Sequence, residues 1–129
     1  MKGVLFLCIH NSGRSQMAAG FMRQLGAGRV TVYSAGSEPA NAINPSAVAV
    51  MKEVGIDIAS AQPLLWTMEM LEAVDVVVTM GCGDACPFLP GKKYVDWPLE
   101  DPAGQGIDAV RPIRDEIKKL VEDLIAQIS

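Results

Sequence analysis

The first third of the chain alternates between short apolar runs and a segment of helical periodicity. Residues 3–7 form a continuous apolar run that ends at polar residues, which is typical of a strand buried on both faces. In residues 15–25 the apolar side chains follow helical spacing, and Gly26 and Gly28 come directly afterwards, so this segment predicts a helix. Residues 30–34 are mostly β-branched or aromatic and predict a second strand.

The rest of the chain continues this alternation. Asn44 and Pro45 predict the start of a helix, because Asn is a favoured N-cap residue and Pro fits the first turn. Gly55 stands where a helix-ending glycine belongs. The later segments predict a short helix at 68–73, strands at 74–80 and 94–96, and a long helix within 107–128.

Strands that alternate with helices indicate an α/β fold, with a parallel sheet and helices on both of its faces. In such a sheet, ligands bind outside the carboxyl ends of the strands. The loops that follow the first and third predicted strands begin at Cys8 and Gly81, and they contain all three cysteines, Cys8, Cys82 and Cys86. These two loops are therefore the predicted location of a functional site.

Composition and charge narrow the class of protein. A length of 129 residues predicts one domain over 1–129, and no apolar run approaches the ~20 residues that a membrane span needs. A net charge of −4 argues against a nucleic-acid partner, which calls for a basic face. The N-terminal apolar run, residues 4–8, is too short for a secretory signal, so we expect a cytoplasmic protein. In that reducing compartment, cysteines are more often catalytic, redox-active or metal-bound than structural.

The loop after the first strand has the composition of an anion-binding site. Five residues separate Cys8 from Arg14, and Ser15 follows at the start of a helix. Such a loop can curl so that its backbone N–H groups, the helix N-terminus and the arginine side chain all face one tetrahedral anion. The same features stabilise a thiolate at Cys8, and Asn11 is suited to an unusual backbone conformation. The predicted oxyanion-binding residues are Ile9, His10, Asn11, Ser12, Gly13, Arg14 and Ser15. The alternative is a buried, inert Cys8 next to a capping serine.

Residues 8–15, followed by Gln-Met-Ala at 16–18, resemble the signature of the low-molecular-weight tyrosine phosphatases. In particular they are similar to the arsenate reductases of the thioredoxin-coupled type that are built on this fold. The resemblance extends to Ser-Ala-Gly at 34–36, Asp-Pro-Ala-Gly at 101–104 and Arg-Asp-Glu-Ile at 114–117. It implies a four-stranded parallel sheet with strand order 2-1-3-4.

Two further cysteines separate the reductases from the phosphatases of this fold. A phosphatase needs one thiolate, whereas As(V) has to accept two electrons. The resemblance implies that Cys8 attacks arsenic, that Cys82 then attacks the sulfur of Cys8, and that Cys86 displaces Cys8 to leave a Cys82–Cys86 disulfide. Two alternatives stay open for the pair: a zinc site completed by Cys8 and His10, or two unreactive cysteines.

Asp101 is the predicted general acid. It precedes Pro102, which restricts its backbone and places it at a loop edge. In the family that the chain resembles, this aspartate protonates the departing oxygen, and the alternative is an ordinary Asp-Pro turn. Some members of the family also bind potassium beside the first loop. Asn11 and Ser34 match that site, but Ala19 stands where the glutamate belongs, which argues against potassium here.

The predicted function is the reduction of arsenate to arsenite for arsenic detoxification, with phosphate or sulfate as competing oxyanions. Cys8, Arg14, Cys82, Cys86 and Asp101 are the predicted catalytic residues. No metal or bound cofactor is expected, and thioredoxin is the expected external reductant, ahead of mycothiol or glutathione. The alternative functions are a low-molecular-weight tyrosine phosphatase and a redox-sensing or anion-binding module without turnover.

Overall fold

The computed structural model describes residues 2–81 and 87–128 of the chain. Within these residues, four strands and four helices follow one another in a pattern close to the predicted one, with two consecutive helices and then two consecutive strands in the second half. The strands are β1 (Lys2–Cys8), β2 (Val30–Gly36), β3 (Val76–Thr79) and β4 (Lys93–Asp96). The helices are α1 (Arg14–Leu25), α2 (Pro45–Glu53), α3 (Met68–Ala73) and α4 (Ile107–Ile128).

The strands form one parallel sheet in the order β2-β1-β3-β4, which confirms the order implied by the family resemblance. β1 is hydrogen-bonded on both sides. Its last residue, Cys8, lies opposite Gly36 of β2, and the preceding Leu7 lies opposite Thr79 of β3. The loops after β1, β2 and β3 therefore leave the sheet at the same edge, where the site was predicted.

The two faces of the sheet are covered unequally. Val4 and Phe6 of β1 point into a large core that includes side chains of α1, α2 and α4. Leu5 and Leu7 point to the opposite face, where a smaller cluster includes Leu71 of α3. Helices thus cover both faces, as predicted. None of the helices in the described residues is long and apolar enough to cross a bilayer.

Asn44 caps α2 as the sequence predicts, since its side-chain oxygen accepts hydrogen bonds from the backbone N–H groups of Ser46 and Ala47. Gly55 follows the helix with a φ of +80°, a conformation that glycine adopts without a steric cost. β3 is shorter than the predicted 74–80. Val74 is buried in the smaller core, but it is the residue that ends α3 and not a member of the strand. The apolar side chain of Val74 therefore led to a predicted strand that is longer than the observed one.

Candidate functional site: a cysteine and an arginine at the edge of the sheet

Cys8 lies at the carboxyl end of β1 with 3% of its surface exposed. Its Sγ is 2.9 Å from Ser15 Oγ and accepts a hydrogen bond from the backbone N–H of Asn11 at 3.3 Å. Ser15 Oγ in turn accepts a hydrogen bond from Asn11 Nδ2 at 2.7 Å. Because an amide nitrogen only donates, the hydroxyl hydrogen of Ser15 is left to point at the sulfur. Two hydrogen-bond donors thus face the Cys8 sulfur.

Asn11 holds the bend of the loop that carries Cys8. Its φ is +51°, in the left-handed region, and it is completely buried. Its side-chain oxygen accepts hydrogen bonds from the backbone N–H of Leu64 at 2.9 Å and from Gln16 Nε2 at 3.1 Å. The unusual backbone expected for Asn11 is confirmed, and contacts with distant parts of the chain maintain it.

Gln16 is a buried polar residue to which the sequence analysis gave no role. Its Nε2 lies 3.1 Å from both the backbone and the side-chain oxygen of Asn11, and 3.4 Å from the carbonyl oxygen of Gln62. A polar side chain on an otherwise apolar helix face was the available signal. The Asn11 oxygens that a potassium ion would require already face this N–H donor, and Ala19 supplies no carboxylate. The residues present therefore do not fit a potassium site.

Arg14 begins α1 and lies beside Cys8 with 6% of its surface exposed. Its Nη1 donates to the carbonyl oxygen of Leu99 at 3.3 Å, and its Nη2 lies 3.8 Å from Asp101 Oδ2. Its Nε is buried and has no hydrogen-bond acceptor among residues 2–81 and 87–128. Buried donors are nearly always satisfied, so this nitrogen is suited to a ligand with acceptor oxygens.

Gly81 lies next to the Arg14 guanidinium. A Cβ added at Gly81 would be 2.5 Å from Arg14 Nη1, and Gly81 has a φ of +86°. Both the space and the backbone therefore require glycine at this position. Cys82 and Cys86, the second and third predicted redox residues, lie outside the described residues.

Asp101 faces Arg14 from a loop that covers the start of α1. Its side chain is 52% exposed, and its Oδ1 accepts a hydrogen bond from the backbone N–H of Ala103 at 2.9 Å. Pro102 closes the loop over Gly13, where an added Cβ would lie 2.7 Å from Pro102 Cγ. Any side chain at position 13 would therefore displace the loop that carries Asp101.

Some of the predicted site residues line a pocket, and others lie behind it. A small pocket is lined by Cys8, His10, Ser12, Gly13, Arg14, Asn44, Asp101, Pro102 and Ala103. Ser15 and Asn11 lie behind the Cys8 sulfur, and Ile9 packs against the smaller core. His10 is exposed at the pocket, and its Nδ1 lies 3.0 Å from the carbonyl oxygen of Glu38. Asn44 was predicted only as a helix cap.

A larger cavity, of about 710 Å³, lies between α1, β2 and the segment after α2. Gln16, Arg23, Tyr33 and Gln62 are among its lining residues, and Cys8 is not. Size alone would select this cavity, but nucleophile, cation and carboxylate converge at the smaller one. Among the residues that the structure describes, no three His, Cys, Asp or Glu side chains are grouped as a metal site.

Comparison with known proteins places the chain among phosphatases and arsenate reductases. A glutaredoxin arsenate reductase from Synechocystis is 43% identical over an alignment of 132 residues that covers 100% of both chains. The structure of a thioredoxin-dependent arsenate reductase from Corynebacterium glutamicum superposes with a TM-score of 0.87 at 41% identity. The alignment covers 99% of this chain but only 62% of that longer one. An arsenate reductase in the phosphate binding state gives a TM-score of 0.87 at 43% identity, with 100% of both chains covered.

The family described as low molecular weight phosphotyrosine protein phosphatase matches residues 3–129. The match thus includes the loop of Cys8, the loop of Asp101 and, apart from Lys2, all four strands. On this evidence, the chain belongs to the low molecular weight phosphotyrosine protein phosphatase family.

Proposed function

We propose that this chain reduces arsenate to arsenite. One observation carries the proposal: Cys8 Sγ, with two hydrogen-bond partners, lies in one pocket with Arg14, whose buried Nε has no acceptor among the described residues. A nucleophile and an anion-binding group are thereby in contact with the same small volume. The relatives named as arsenate reductases support arsenate as the anion.

The first step joins Cys8 to arsenic. Arg14 and the N–H groups of the loop bind the oxygens of arsenate, and the Cys8 thiolate attacks the arsenic atom. An S–As bond forms and an As–O bond breaks. Asp101 supplies a proton to the departing oxygen, which leaves as water.

The second step moves two electrons. The Cys82 thiolate attacks the sulfur of Cys8, an S–S bond forms, and the S–As electron pair stays with arsenic, which leaves as arsenite. The Cys86 thiolate then attacks Cys82 and releases Cys8 as a thiolate, so that Cys82 and Cys86 end as a disulfide. Two thiols are oxidised for each As(V) reduced to As(III). Gly81, the neighbour of Cys82 in sequence, lies against Arg14, which supports the assignment of Cys82 as the first attacker.

An external dithiol has to reduce the disulfide after each turnover. Thioredoxin fits this role, because a disulfide within one chain is its usual kind of substrate. The relatives are named for two different reductants, thioredoxin and glutaredoxin. Turnover with purified thioredoxin and thioredoxin reductase, compared with turnover with glutathione and glutaredoxin, decides between them. Arsenic detoxification and a cytoplasmic location stay predictions from the sequence.

The second candidate function is phosphate-ester hydrolysis, which the family membership favours. Hydrolysis needs Cys8, Arg14 and Asp101 but neither of the other cysteines, so the two functions make opposite predictions for one variant. In Cys82→Ser, we expect arsenite release to be lost while hydrolysis of p-nitrophenyl phosphate is retained. Cys8→Ser is the matched control and should lose both activities. Arsenate turnover that is unchanged in Cys82→Ser would overturn the proposed relay.

A further inference from the structure

The first residues of α2 contact both loops of the candidate site. The backbone N–H of Asn44 donates to the carbonyl oxygen of Ser12 at 2.8 Å, which ties it to the loop of Cys8. Its side-chain Nδ2 donates to the carbonyl oxygen of Pro102 at 3.2 Å, which ties it to the loop of Asp101. Asn44 is thus bonded to both sides of the pocket, in addition to capping α2.

A second tie runs from the first turn of the same helix, two residues further along the chain. Ser46 Oγ donates to the carbonyl oxygen of Gln105 at 2.9 Å. Gln105 closes the loop on itself, because its Nε2 donates to the carbonyl oxygen of Asp101 at 2.8 Å and its backbone N–H donates to that of Pro102 at 3.1 Å. Residues 101–105 are therefore held to α2 at two points.

Burial does not hold this loop in place. The side chain of Asp101 is half exposed, and its contact with Arg14, at 3.8 Å, is longer than a hydrogen bond. Pro102 is buried against Gly13. This contact sets the closest approach of the loop to the start of α1, but it does not fix the orientation of the loop. The hydrogen bond from Asn44 to the Pro102 carbonyl oxygen connects the loop of this exposed carboxyl group to α2.

We propose that Asn44 is a positioning residue that holds Asp101 over Cys8, with Ser46 as the second tie. This inference rests on the proposed function, since it assigns Asp101 as the proton donor of that reaction. Asn44 acts through the loop of Asp101. Replacing Asn44 should therefore slow the reaction with arsenate only when Asp101 is present. Its loss should not weaken the binding of the anion.

Replacement by serine separates the tie from the helix cap. Serine is as good an N-cap as asparagine, so Asn44→Ser keeps the start of α2. Its hydroxyl group is too short to reach the carbonyl oxygen of Pro102. The matched control is Thr67→Ala, which removes the side-chain cap of α3, a bond to the N–H of Met70, at a distance from the loop of Asp101.

The experiment is a double-mutant cycle of Asn44→Ser with Asp101→Asn. The measurement is the single-turnover rate at which arsenate consumes thiols, together with the affinity for inorganic phosphate by calorimetry. General acid catalysis is worth roughly 100- to 10,000-fold, so a misplaced acid should slow Asn44→Ser by about tenfold or more. In the Asp101→Asn background the same change should have no further effect, because the two residues act as one unit. Phosphate affinity should stay the same, and Thr67→Ala should match the wild-type rate.

Three results would each overturn the proposal: a wild-type rate in Asn44→Ser, an equal loss of rate in both backgrounds, or a loss of phosphate affinity. Ser46→Ala, which removes only the bond to Gln105, repeats the test with a smaller expected effect should Asn44→Ser fail to fold. If arsenate consumes no thiols in the wild-type chain, the proposed function fails by itself. The cycle of Asn44→Ser with Asp101→Asn, repeated with phenyl phosphate, whose leaving group also needs a proton, then decides the role of Asn44. Independence from Asp101 in both reactions would overturn it.

Discussion

Cys8 owes its expected reactivity to two groups close to it in sequence, one in its own loop and one at the start of α1. The hydroxyl group of Ser15 and the backbone N–H of Asn11 both face the sulfur, and Asn11 also orients the Ser15 hydroxyl group. Both contacts with the sulfur come from residues nearby in sequence, and the contact from the Ser15 side chain can be removed by a single substitution. The contacts that hold Asn11 itself, from Gln16 and Leu64, are separate from the sulfur and stay in place when Ser15 changes.

Ser15→Ala should make Cys8 less reactive without unfolding the loop. A hydrogen bond to a charged group contributes roughly 1.5–3 kcal/mol, so alkylation of Cys8 by iodoacetate at neutral pH should slow by about ten- to a hundredfold. The measurement uses chains in which Cys82 and Cys86 are replaced by serine, so that one thiol remains. In denaturant the two proteins should react at the same rate. Equal rates in the folded state would show that Ser15 does not stabilise the thiolate.

The sequence predicted some residues of the site and missed others for a physical reason. Cys8, Arg14 and Ser15 lie within one short segment, so local spacing was enough to group them. Asn44 and Gln16 act through partners far along the chain, at Pro102 and Gln62. No spacing rule connects such positions, since only the folded sheet brings them together. The roles of Cys82 and Cys86 stay predictions.

A small network of charged side chains joins α2 to α4 at the surface. Glu53, at the end of α2, accepts hydrogen bonds from Arg111 Nη2 at 2.6 Å and from Arg114 Nη1 at 2.7 Å, both on α4. Hydrogen bonds from Arg111 lower the pKa of Glu53 from 4.5 to about 2, and Arg114 contributes to the same shift. A carboxyl group with a lowered pKa stabilises the fold above its ordinary pKa, and this stabilisation is lost as the pH falls through the lowered pKa.

Glu53→Gln should therefore lower the Tm at pH 7 and have a diminishing effect between about pH 4.5 and pH 2, the window set by the two pKa values. The measurement is a series of thermal melts across that window. Asp108→Asn is the matched control. It removes an ion pair with the same Arg111, but Asp108 is almost fully exposed and lies on α4 itself, so little change is expected. A Tm difference that is constant with pH would contradict this account of Glu53.

At the level of elements, the predicted helices agree well with the structure, and the strands less so. α3 spans the predicted 68–73, because a period of nearly four residues and the capping Thr67 leave little freedom in a helix, and α4 lies within the predicted 107–128. The ends of strands depend on whether a neighbour offers hydrogen bonds. β2 continues to Gly36, beyond the predicted 34, because β1 pairs with it as far as Cys8. That partner is not visible in the local sequence.

The whole molecule depends on one of the two faces of the sheet for most of its apolar burial. α1, α2 and α4 all pack on that face, and Ile117 of α4 is completely buried within it.

Ile117→Ala should lower the free energy of unfolding by about 2–5 kcal/mol, because it removes apolar contacts and leaves a cavity. Urea denaturation measures this loss. Lys118→Ala, on the neighbouring exposed position, should change it by less than about 0.5 kcal/mol. Similar losses for both would mean that the core is not where the structure places it.

The position of β1 between two partner strands has a consequence for any redox cycle at Cys8. Cys8 is paired with Gly36 of β2, and Leu7 directly before it is paired with both neighbouring strands, so the backbone that carries the sulfur is fixed. In the proposed relay, any motion that brings the Cys8 and Cys82 sulfurs together therefore belongs to the segment that carries Cys82. The turnover rate would then depend on the motion of the segment that carries the attacking thiol rather than on Cys8. Substitutions in that segment would alter the turnover rate and leave the affinity for the oxyanion unchanged.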